Sequence, residues 1–285
     1  MTRKQLEMDK SAKDANVCCV LGMGSSPGIM NVIGAYAASK MESIETMKLR
    51  SASTSAHSKT SRFEAPFSIR TILDEFTIPP VILRDGELRE VEPLSHRESF
   101  RMPDPVGEVE GYFTIHSELA TMPGTLGKGI KDMDFIVAYP PEFTQTLTLL
   151  VQLGLASKKP LTVRGQEISP YDFLASVIDA QPKFAKPDLD IDIQRVEARG
   201  VRNGKVATVT VDAVCRPNAK WNMGGGTVGT GTPPSIIAQW LASGRIKKRG
   251  VLPPETCVEP LPFFGALRDR GIIVIEPHQE SKELQ

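Results

Sequence analysis

The chain has 285 residues and a net formal charge of zero, with 40% hydrophobic residues, as expected of a folded protein with a sizeable core. The balanced charge argues against a nucleic-acid partner, and no apolar run approaches the roughly 20 residues of a membrane span. The N-terminus lacks a signal-peptide core and the four cysteines form no Cys-x-x-Cys pair, so we predict a cytoplasmic protein without a metal site.

The first predicted elements are a short amphipathic helix, a buried strand and a second helix. The strand is the apolar run over residues 17–21; helices are predicted over 5–15 and 29–41. A polar-rich strand follows over 44–53. We expect its Ile44, Thr46 and Lys48 to face outward, opposite Met47 and Leu49.

A glycine-rich turn links the first strand to the second helix. Gly22 and Gly24 begin the fingerprint of a dinucleotide-binding loop, whose third glycine would stand at position 27. That position holds Pro27, and the glycine comes one residue later, at Gly28. Proline removes a backbone N–H that could face a pyrophosphate, so the turn is an incomplete nucleotide loop.

Two hairpins dominate the middle of the chain. The dipeptides Asp85-Gly86 and Asn203-Gly204 have the turn chemistry of two-residue hairpin loops. The strands predicted around these turns cover 81–84, 87–91, 190–201 and 205–216. Further strands are predicted near 112–117, 133–139 and 272–275, and helices near 142–156, 170–180, 233–243 and 262–270. The pattern predicts an α+β fold, with a mixed, largely antiparallel sheet and helices on one face.

A second glycine-rich segment covers residues 224–233. Thr232 is a candidate N-cap and Pro233 a candidate first helical residue. The N–H groups at such a helix start could bind a substrate carboxylate or a cofactor phosphate. The alternative is a surface loop with a good cap.

His116 and Glu118 form a His-x-Glu pair at the end of a predicted strand. Alternation places both side chains on one face, where His116 could act as a general acid or base tuned by Glu118. The alternative is a histidine satisfied at a sheet edge. No third ligand stands at a familiar zinc spacing.

Several segments resemble the saccharopine dehydrogenase family and its L-lysine dehydrogenase relatives. Residues 24–28 with Asn31 are similar to the family's Gly-x-(Asp or Ala)-Pro-Gly segment. Further similar segments, in the family's order, are Pro80-Val81, Pro105-Val106-Gly107, His116-Ser117-Glu118, Thr121-Met122-Pro123, Thr230-Gly231-Thr232-Pro233, Gly250-Val251, Pro253-Pro254-Glu255 and 267–272. The resemblance covers roughly residues 10–276. Ser26 stands where saccharopine-type members have an acid.

The resemblance implies a particular domain organisation. Residues 1–27 and 262–276 would be a remnant of a nucleotide-binding domain, and 28–261 a catalytic, substrate-binding and dimerisation domain. Residues 277–285 would be a flexible tail. The family's phosphate-binding loop would lie outside this chain, and the protein would form a homodimer.

The implied activity is NAD- or NADP-dependent hydride transfer at a CH–NH group of a small amino-acid substrate. His116 and Glu118 are the candidate proton-transfer groups, and Arg101 and Arg216 the candidate carboxylate clamp. The remaining candidate substrate-binding residues are Ser26, Asn31, Thr230 and Gly231. The candidate cofactor contacts are Gly24, Pro27 and Gly28, beside the nicotinamide.

Two other functions remain open from the sequence. The chain could be a self-contained NADP-binding reductase that uses the loop from Gly22 to Gly28. It could also be a non-catalytic dimerising domain that keeps the fold alone.

Overall fold

A computed structural model describes residues 2–54, 63, 65–182 and 188–277, so of the predicted tail only residue 277 is described. The strands are β1 Cys18–Val20, β2 Ser43–Ser53, β3 Val81–Arg84, β4 Glu87–Glu90, β5 Arg97–Arg101, β6 Glu108–Phe113, β7 Asp132–Ala138, β8 Leu161–Val163, β9 Gln166–Ile168, β10 Asp192–Arg202, β11 Lys205–Cys215, β12 Gly250–Leu252 and β13 Ile272–Ile275. The helices are α1 Thr2–Leu6, α2 Asp9–Asp14, α3 Ile29–Ser39, α4 Ile69–Thr77, α5 Met122–Thr125, α6 Pro141–Gln152, α7 Pro170–Asp179, α8 Gly225–Ala242, α9 Pro254–Cys257 and α10 Pro260–Arg268, with a 3-10 turn at Ser117–Ala120. No helix of these residues is long and apolar enough to cross a membrane.

A nine-stranded mixed sheet is the centre of the fold. Its strand order is β13-β11-β10-β2-β7-β3-β4, with β6 also pairing with β7, and β5 with β6. Only β2 and β7 run parallel within it. The turn residues Asp85, Gly86, Asn203 and Gly204 all have positive φ, as two-residue hairpin turns require. These pairings confirm the predicted mixed, largely antiparallel sheet.

One face of this sheet is covered by α3, α8 and α10, and we call it the helix-covered face. Leu49, Phe135 and Val196 lie side by side on it and belong to the main core. Alternation sends their neighbours to the opposite face. There Ala52 and Ile193 pack under residues of the β5–β6 hairpin. The sheet is therefore buried on both faces near its centre.

A smaller lobe packs beside the main sheet. Its core is formed by α4, α6 and α7, through buried residues such as Ile72, Leu147 and Leu174. Tyr139, which follows β7, packs against this core. The chain leaving β7 therefore joins the lobe to the main sheet.

The predicted return of residues 262–276 to the N-terminal segment is wrong. β13 pairs with β11 as an edge strand of the nine-stranded sheet. β1 pairs instead with β12, in a separate two-stranded parallel sheet. Both strands are short apolar runs, and such runs do not specify their pairing partner.

Four local predictions also need correction. Residues 5–15 form no single helix, because α1 and α2 divide the segment. The strand predicted near 112–117 is β6 and ends at Phe113. Ile44 is buried, because a register shift opposite Gly200 reverses the alternation at the start of β2. Thr232 and Pro233 lie inside α8, which begins at Gly225.

The early start of α8 has a local cause. Asp190 accepts hydrogen bonds from the first turn: its backbone oxygen from the N–H of Gly225 at 2.8 Å and its Oδ2 from the N–H of Gly226 at 3.0 Å. A Cβ on Gly224 or Gly225 would overlap Asp190 or the Cys215 carbonyl. The glycines allow this close approach, and Asp190 caps the helix in place of Thr232.

Candidate functional site

A closed turn at residues 24–28 forms the middle of the site. The N–H of Gly24 donates to the Pro27 carbonyl at 2.7 Å, and the N–H of Ile29 donates to the Gly24 carbonyl at 2.9 Å. Gly28 has φ of 132°, and a Cβ there would overlap the backbone of Gly24. Glycine is therefore needed at position 28 to close the turn.

Ser26 and His116 lie at opposite ends of one buried carboxylate, that of Glu118. Ser26 Oγ donates to Glu118 Oε1 at 2.5 Å, and His116 Nδ1 lies 3.1 Å from Glu118 Oε2. The Glu118 side chain is 0% exposed and that of His116 is 13% exposed. The 3-10 turn after His116 brings the pair together, so they meet without the shared strand that we predicted.

The His116 ring is fixed from two sides. It stacks on Phe135, with ring centroids 3.5 Å apart and planes 13° from parallel. With Glu118 ionised, the hydrogen bond assigns a proton to Nδ1 and leaves Nε2 available for proton exchange. Glu118 thus orients the imidazole, and Phe135 holds its plane.

The two groups favour each other's charged forms. Burial lowers the pKa of His116, but the charge of Glu118, its hydrogen bond and the charge of Glu75 together raise that pKa above the ordinary value. Burial raises the pKa of Glu118, but the charge of His116 and hydrogen bonds from His116 and Ser26 lower it below the ordinary value. Each group therefore favours the charged form of the other, so the imidazolium–carboxylate pair is more stable here than for an isolated histidine and glutamate.

A second buried carboxyl group lies close enough to His116 to affect its charge. Glu75, in α4, is 4% exposed and accepts a hydrogen bond from Tyr139 Oη at 2.5 Å. Burial raises the pKa of Glu75, with the charge of His116 and the Tyr139 hydrogen bond opposing the rise. Two carboxyl groups from different parts of the fold therefore influence one histidine.

The other side of the turn faces β10. Ser25 Oγ donates to Asp192 Oδ2 at 3.0 Å, and Gln194 Nε2 donates to the same oxygen at 3.0 Å. Burial raises the pKa of Asp192 to about 6, although both hydrogen bonds oppose the rise and the charge of Asp190 adds to it. Asp192 remains partly exposed to solvent.

The structure places Asn31 next to the turn. Asn31 Oδ1 accepts from the Gly28 N–H at 2.9 Å, and its Nδ2 donates to Glu255 Oε2 at 2.9 Å. Glu255 Oε1 also accepts from Thr125 Oγ1 at 2.8 Å. Asn31 is 2% exposed, so its amide connects α3 to α9.

Thr230, Gly231 and Arg216 lie on the β11 side of the site. Thr230 and Gly231 are exposed residues of α8, and a Cβ on Gly24 would lie 3.7 Å from Thr230 Cγ2. Arg216 is exposed and directly follows Cys215, whose backbone lies against the start of α8. Thr230 therefore lies beside the turn, and Gly231 and Arg216 are exposed.

Arg101 lies away from this group. It ends β5, with its guanidinium 66% exposed and 3.7 Å from Asp104 and Glu108 carboxylates. The backbone carbonyl of Arg101 accepts a hydrogen bond from Arg195 of β10. The side chain of Arg195 projects to the opposite face of the sheet from those of its neighbours Gln194 and Val196. Arg101 is paired with the two carboxylates, and a carboxylate clamp of Arg101 and Arg216 stays a prediction.

Comparison with known proteins identifies the family. The model of the saccharopine dehydrogenase C-terminal domain matches residues 24–272, most of the chain. The chain belongs to the saccharopine dehydrogenase C-terminal domain family. It is 24% identical over 266 residues to carboxyaminopropylagmatine dehydrogenase of Synechocystis sp., with 91% of this chain and 65% of that protein covered.

Other relatives agree with this assignment. Carboxynorspermidine synthase of Vibrio alginolyticus is 23% identical, covering 94% of this chain and 65% of that protein. The chain thus spans about 65% of the length of these curated relatives. The fold resembles apo saccharopine dehydrogenase (L-Glu forming) from Saccharomyces cerevisiae, with a TM-score of 0.74 at 14% identity, covering 95% of this chain and 76% of that one.

The turn of this saccharopine dehydrogenase C-terminal domain does not fit a cofactor pyrophosphate. The N–H groups of Gly24, Gly28, Ile29 and Met30 already donate to oxygens of Pro27, Asn31, Gly24 and Ser25. A phosphate-binding loop needs such donors free. The closure of the turn explains why the glycine spacing departs from the fingerprint.

Sequence reasoning missed several polar residues of the site. The sequence did not reveal that Glu75 and Tyr139 pack against each other. Asp192 and Gln194 stand at the start of β10, which was predicted only as one strand of a hairpin. The one available signal was that Asp192 and Gln194 stand at alternate positions in line with the apolar Val196 and Ala198 of β10. Long-range contacts, from Ser25 to Asp192 and from Ser26 to Glu118, gather these residues.

Proposed function

We propose that this chain is the substrate-binding and catalytic part of an NAD(P)-dependent oxidoreductase acting on the CH–NH group of an amine that carries a carboxylate. The buried Ser26–Glu118–His116 arrangement is the observation on which the proposal depends. The family and its dehydrogenase relatives support an oxidoreductase. The relatives' names, carboxyaminopropylagmatine dehydrogenase and carboxynorspermidine synthase, support a carboxylated amine as the substrate class.

Oxidation of a CH–NH group removes a hydride from carbon and a proton from nitrogen. The nicotinamide cofactor would accept the hydride, and we expect its main binding site outside this chain. In its neutral form, His116 Nε2 accepts the proton from nitrogen, because Nδ1 is engaged by Glu118. In the reverse direction the imidazolium returns that proton to the imine nitrogen.

Glu118 and Ser26 act as positioning groups for this histidine. Both oxygens of the carboxylate are engaged, one by Ser26 and one by His116, so the imidazole has one orientation. The ionised carboxylate stabilises the imidazolium that forms when His116 takes a proton. Burial in a site with little water strengthens that stabilisation.

The two alternative functions have less support. A self-contained NADP-binding reductase would use N–H donors of the Gly22–Gly28 loop for the pyrophosphate, and those of Gly24 and Gly28 are already engaged within the turn and by Asn31. A domain without catalysis gains no stability from burying a charged pair, since desolvation offsets the attraction. Homodimer formation stays a prediction.

The test is an oxidoreductase assay with reduced or oxidised nicotinamide cofactors and a panel of carboxylated amines, comparing a nucleotide-complete enzyme that contains this chain with its His116→Asn variant. We expect turnover to fall about a hundredfold or more in the variant, the usual contribution of general acid–base catalysis. Equal turnover would exclude His116 from the reaction. Tight binding of NADP by this chain without substrate would instead favour the self-contained reductase.

A further inference from the structure

The helix-covered face changes from apolar to polar toward the carboxyl end of β2. In register across β7, β2 and β10, the buried apolar row is Phe135, Leu49 and Val196, and the next row on that face is Val137, Ser51 and Gln194. The following pair is Ser53 and Asp192. A sheet face that is covered by helices is normally apolar, so the polar end requires an explanation.

Gln194 has an unpartnered buried acceptor at this end. The residue is 2% exposed, its Nε2 donates to Asp192, and its Oε1 has no hydrogen-bond partner among the residues that the structure describes. A buried carbonyl oxygen without a donor loses the hydrogen bonds that water gave it in the unfolded chain. The missing partner is therefore a hydrogen-bond donor located beside the Asp192 carboxylate.

The described residues supply no cation beside Asp192. Within the described part of the chain, no lysine, arginine or histidine forms an ion pair with Asp192, and its hydrogen-bond donors are the neutral groups of Ser25 and Gln194. The neighbouring Asp190 adds a second negative charge while capping α8. No group of three metal-ligating side chains occurs among the same residues, so a metal ion is a poor candidate.

We propose that Asp192 and Gln194 form a subsite for a protonated amine of the substrate. An ammonium group has three N–H donors, which suit the Gln194 Oε1 and the carboxylate of Asp192 together. The inference rests on the proposed function for the existence of an amine substrate. It adds to the proposed function the location at which one nitrogen of that substrate binds.

The subsite is separate from the proton-transfer group. His116 stacks on Phe135 of β7, whereas Asp192 lies on β10, about 10 Å away across β2 and four residues, or about 13 Å, further along the strand direction. A nitrogen held by Asp192 is therefore different from the nitrogen that exchanges a proton with His116. The substrate class is an amine with a second positively charged nitrogen several bonds from the reacting one.

The experiment is calorimetric titration of the chain with 1,4-diaminobutane at neutral pH, without cofactor. We expect binding, and a loss of at least about tenfold in affinity in Asp192→Asn, because a charge-assisted hydrogen bond is removed. Gln194→Met should also weaken binding. The uncharged 1,4-butanediol should not bind.

Glu197→Gln is the matched control, since Glu197 is a carboxylate on the same strand and projects to the opposite face. It should bind the diamine like the unchanged chain. Thermal unfolding checks the fold, and Asp192→Asn should not destabilise it, because folding already disfavours the ionised carboxyl. Undiminished diamine affinity in both Asp192→Asn and Gln194→Met, or no diamine binding at all, would overturn the subsite.

The result is independent of the oxidoreductase activity. Diamine binding needs neither nicotinamide nor His116, so Asp192-dependent binding without any redox turnover would support the subsite and count against the proposed function. Redox turnover with diamine binding unaffected by Asp192→Asn and Gln194→Met would support the proposed function and reject the subsite.

Discussion

Ser25 and Ser26 are consecutive in the chain, and their hydroxyl groups bind two different carboxylates. Ser25 donates to Asp192 on β10, and Ser26 donates to Glu118 beside His116. The closed turn that holds the two serines therefore connects the Glu118–His116 pair with the polar end of β10. The following predictions test this arrangement and the fold that supports it.

Replacing Ser26 with alanine should impair His116 through Glu118. The change leaves Glu118 Oε1 buried without a donor and removes one of the hydrogen bonds that lower its pKa. We expect a stability loss of about 1–3 kcal/mol and a fall in turnover. Urea unfolding and steady-state kinetics measure the two effects. Ser39→Ala is the control, because that hydroxyl bonds only to a backbone carbonyl at the surface, and equal losses in both variants would contradict the prediction.

Replacing Glu118 with glutamine should lower the pKa of His116. In the folded chain the pKa of His116 lies above 6.5, so the protonated ring stabilises the fold. That stability is fully present below pH 6.5 and is lost as the pH rises through the pKa of His116 in the folded chain. Without the Glu118 charge, burial dominates and the pKa falls. Titration of the His116 ring protons by NMR measures this change.

The matched control for that titration is Glu45→Gln, at an exposed position of β2. It should leave the His116 titration unchanged. An unchanged His116 pKa in Glu118→Gln would show that the carboxylate does not control the imidazole. The His116→Asn variant assigns the ring signals, because it removes them from the spectrum.

Asp134 should be important for stability on the opposite face of the sheet. It accepts hydrogen bonds from Arg50 at 2.7 Å and from Arg84 at 2.6 Å, and the Arg50 side chain is 1% exposed. Asp134→Asn leaves a buried guanidinium short of one carboxylate, and we expect a loss of about 3 kcal/mol by urea unfolding. Asp85→Asn, which alters an exposed ion pair, should cost less than about 1 kcal/mol.

Asp134 also predicts an acid sensitivity. Burial raises its pKa, but the charge of Arg50 and the hydrogen bonds from Arg84 and Arg50 lower it below 3.8. The stability that ionised Asp134 contributes is therefore present above pH 3.8 and is lost as the pH falls through the pKa of Asp134 in the folded chain. The stability difference between the unchanged chain and Asp134→Asn should shrink on acidification. A constant difference would contradict this prediction.

Gly28→Ala should disrupt the turn. The positive φ and the overlap of a Cβ with Gly24 both oppose the change, so we expect a loss above about 1 kcal/mol and reduced turnover. Gly265→Ala is the control, since nothing lies within 4 Å of a Cβ there and the position is helical. It should be neutral or stabilising by about 0.5–1 kcal/mol in thermal or urea unfolding. Equal behaviour of the two variants would show that the turn tolerates a side chain.

Local chemistry predicted much of the fold. The Asp-Gly and Asn-Gly turns indicated both main hairpins, because few other dipeptides adopt the required backbone angles. The helix after Gly28 was also predicted near its observed position. Elements whose formation depends on distant partners were less predictable. The start of α8 depends on Asp190, and the partner of β13 depends on the edge that β11 leaves open.

The same distinction applies to the candidate site. The order and spacing of many short segments, among them residues 24–28 and the His116-x-Glu118 pair, together indicated the family that the comparison confirmed. Which carboxylates surround the histidine followed only from the folded chain, as did the contact of Asp192 with Ser25 and Gln194. Motifs are local and depend on backbone geometry over a few residues, whereas the site depends on strand register and on contacts spanning 92 and 167 positions of sequence. Pairings of that kind arise from packing of the whole core, which no short segment specifies.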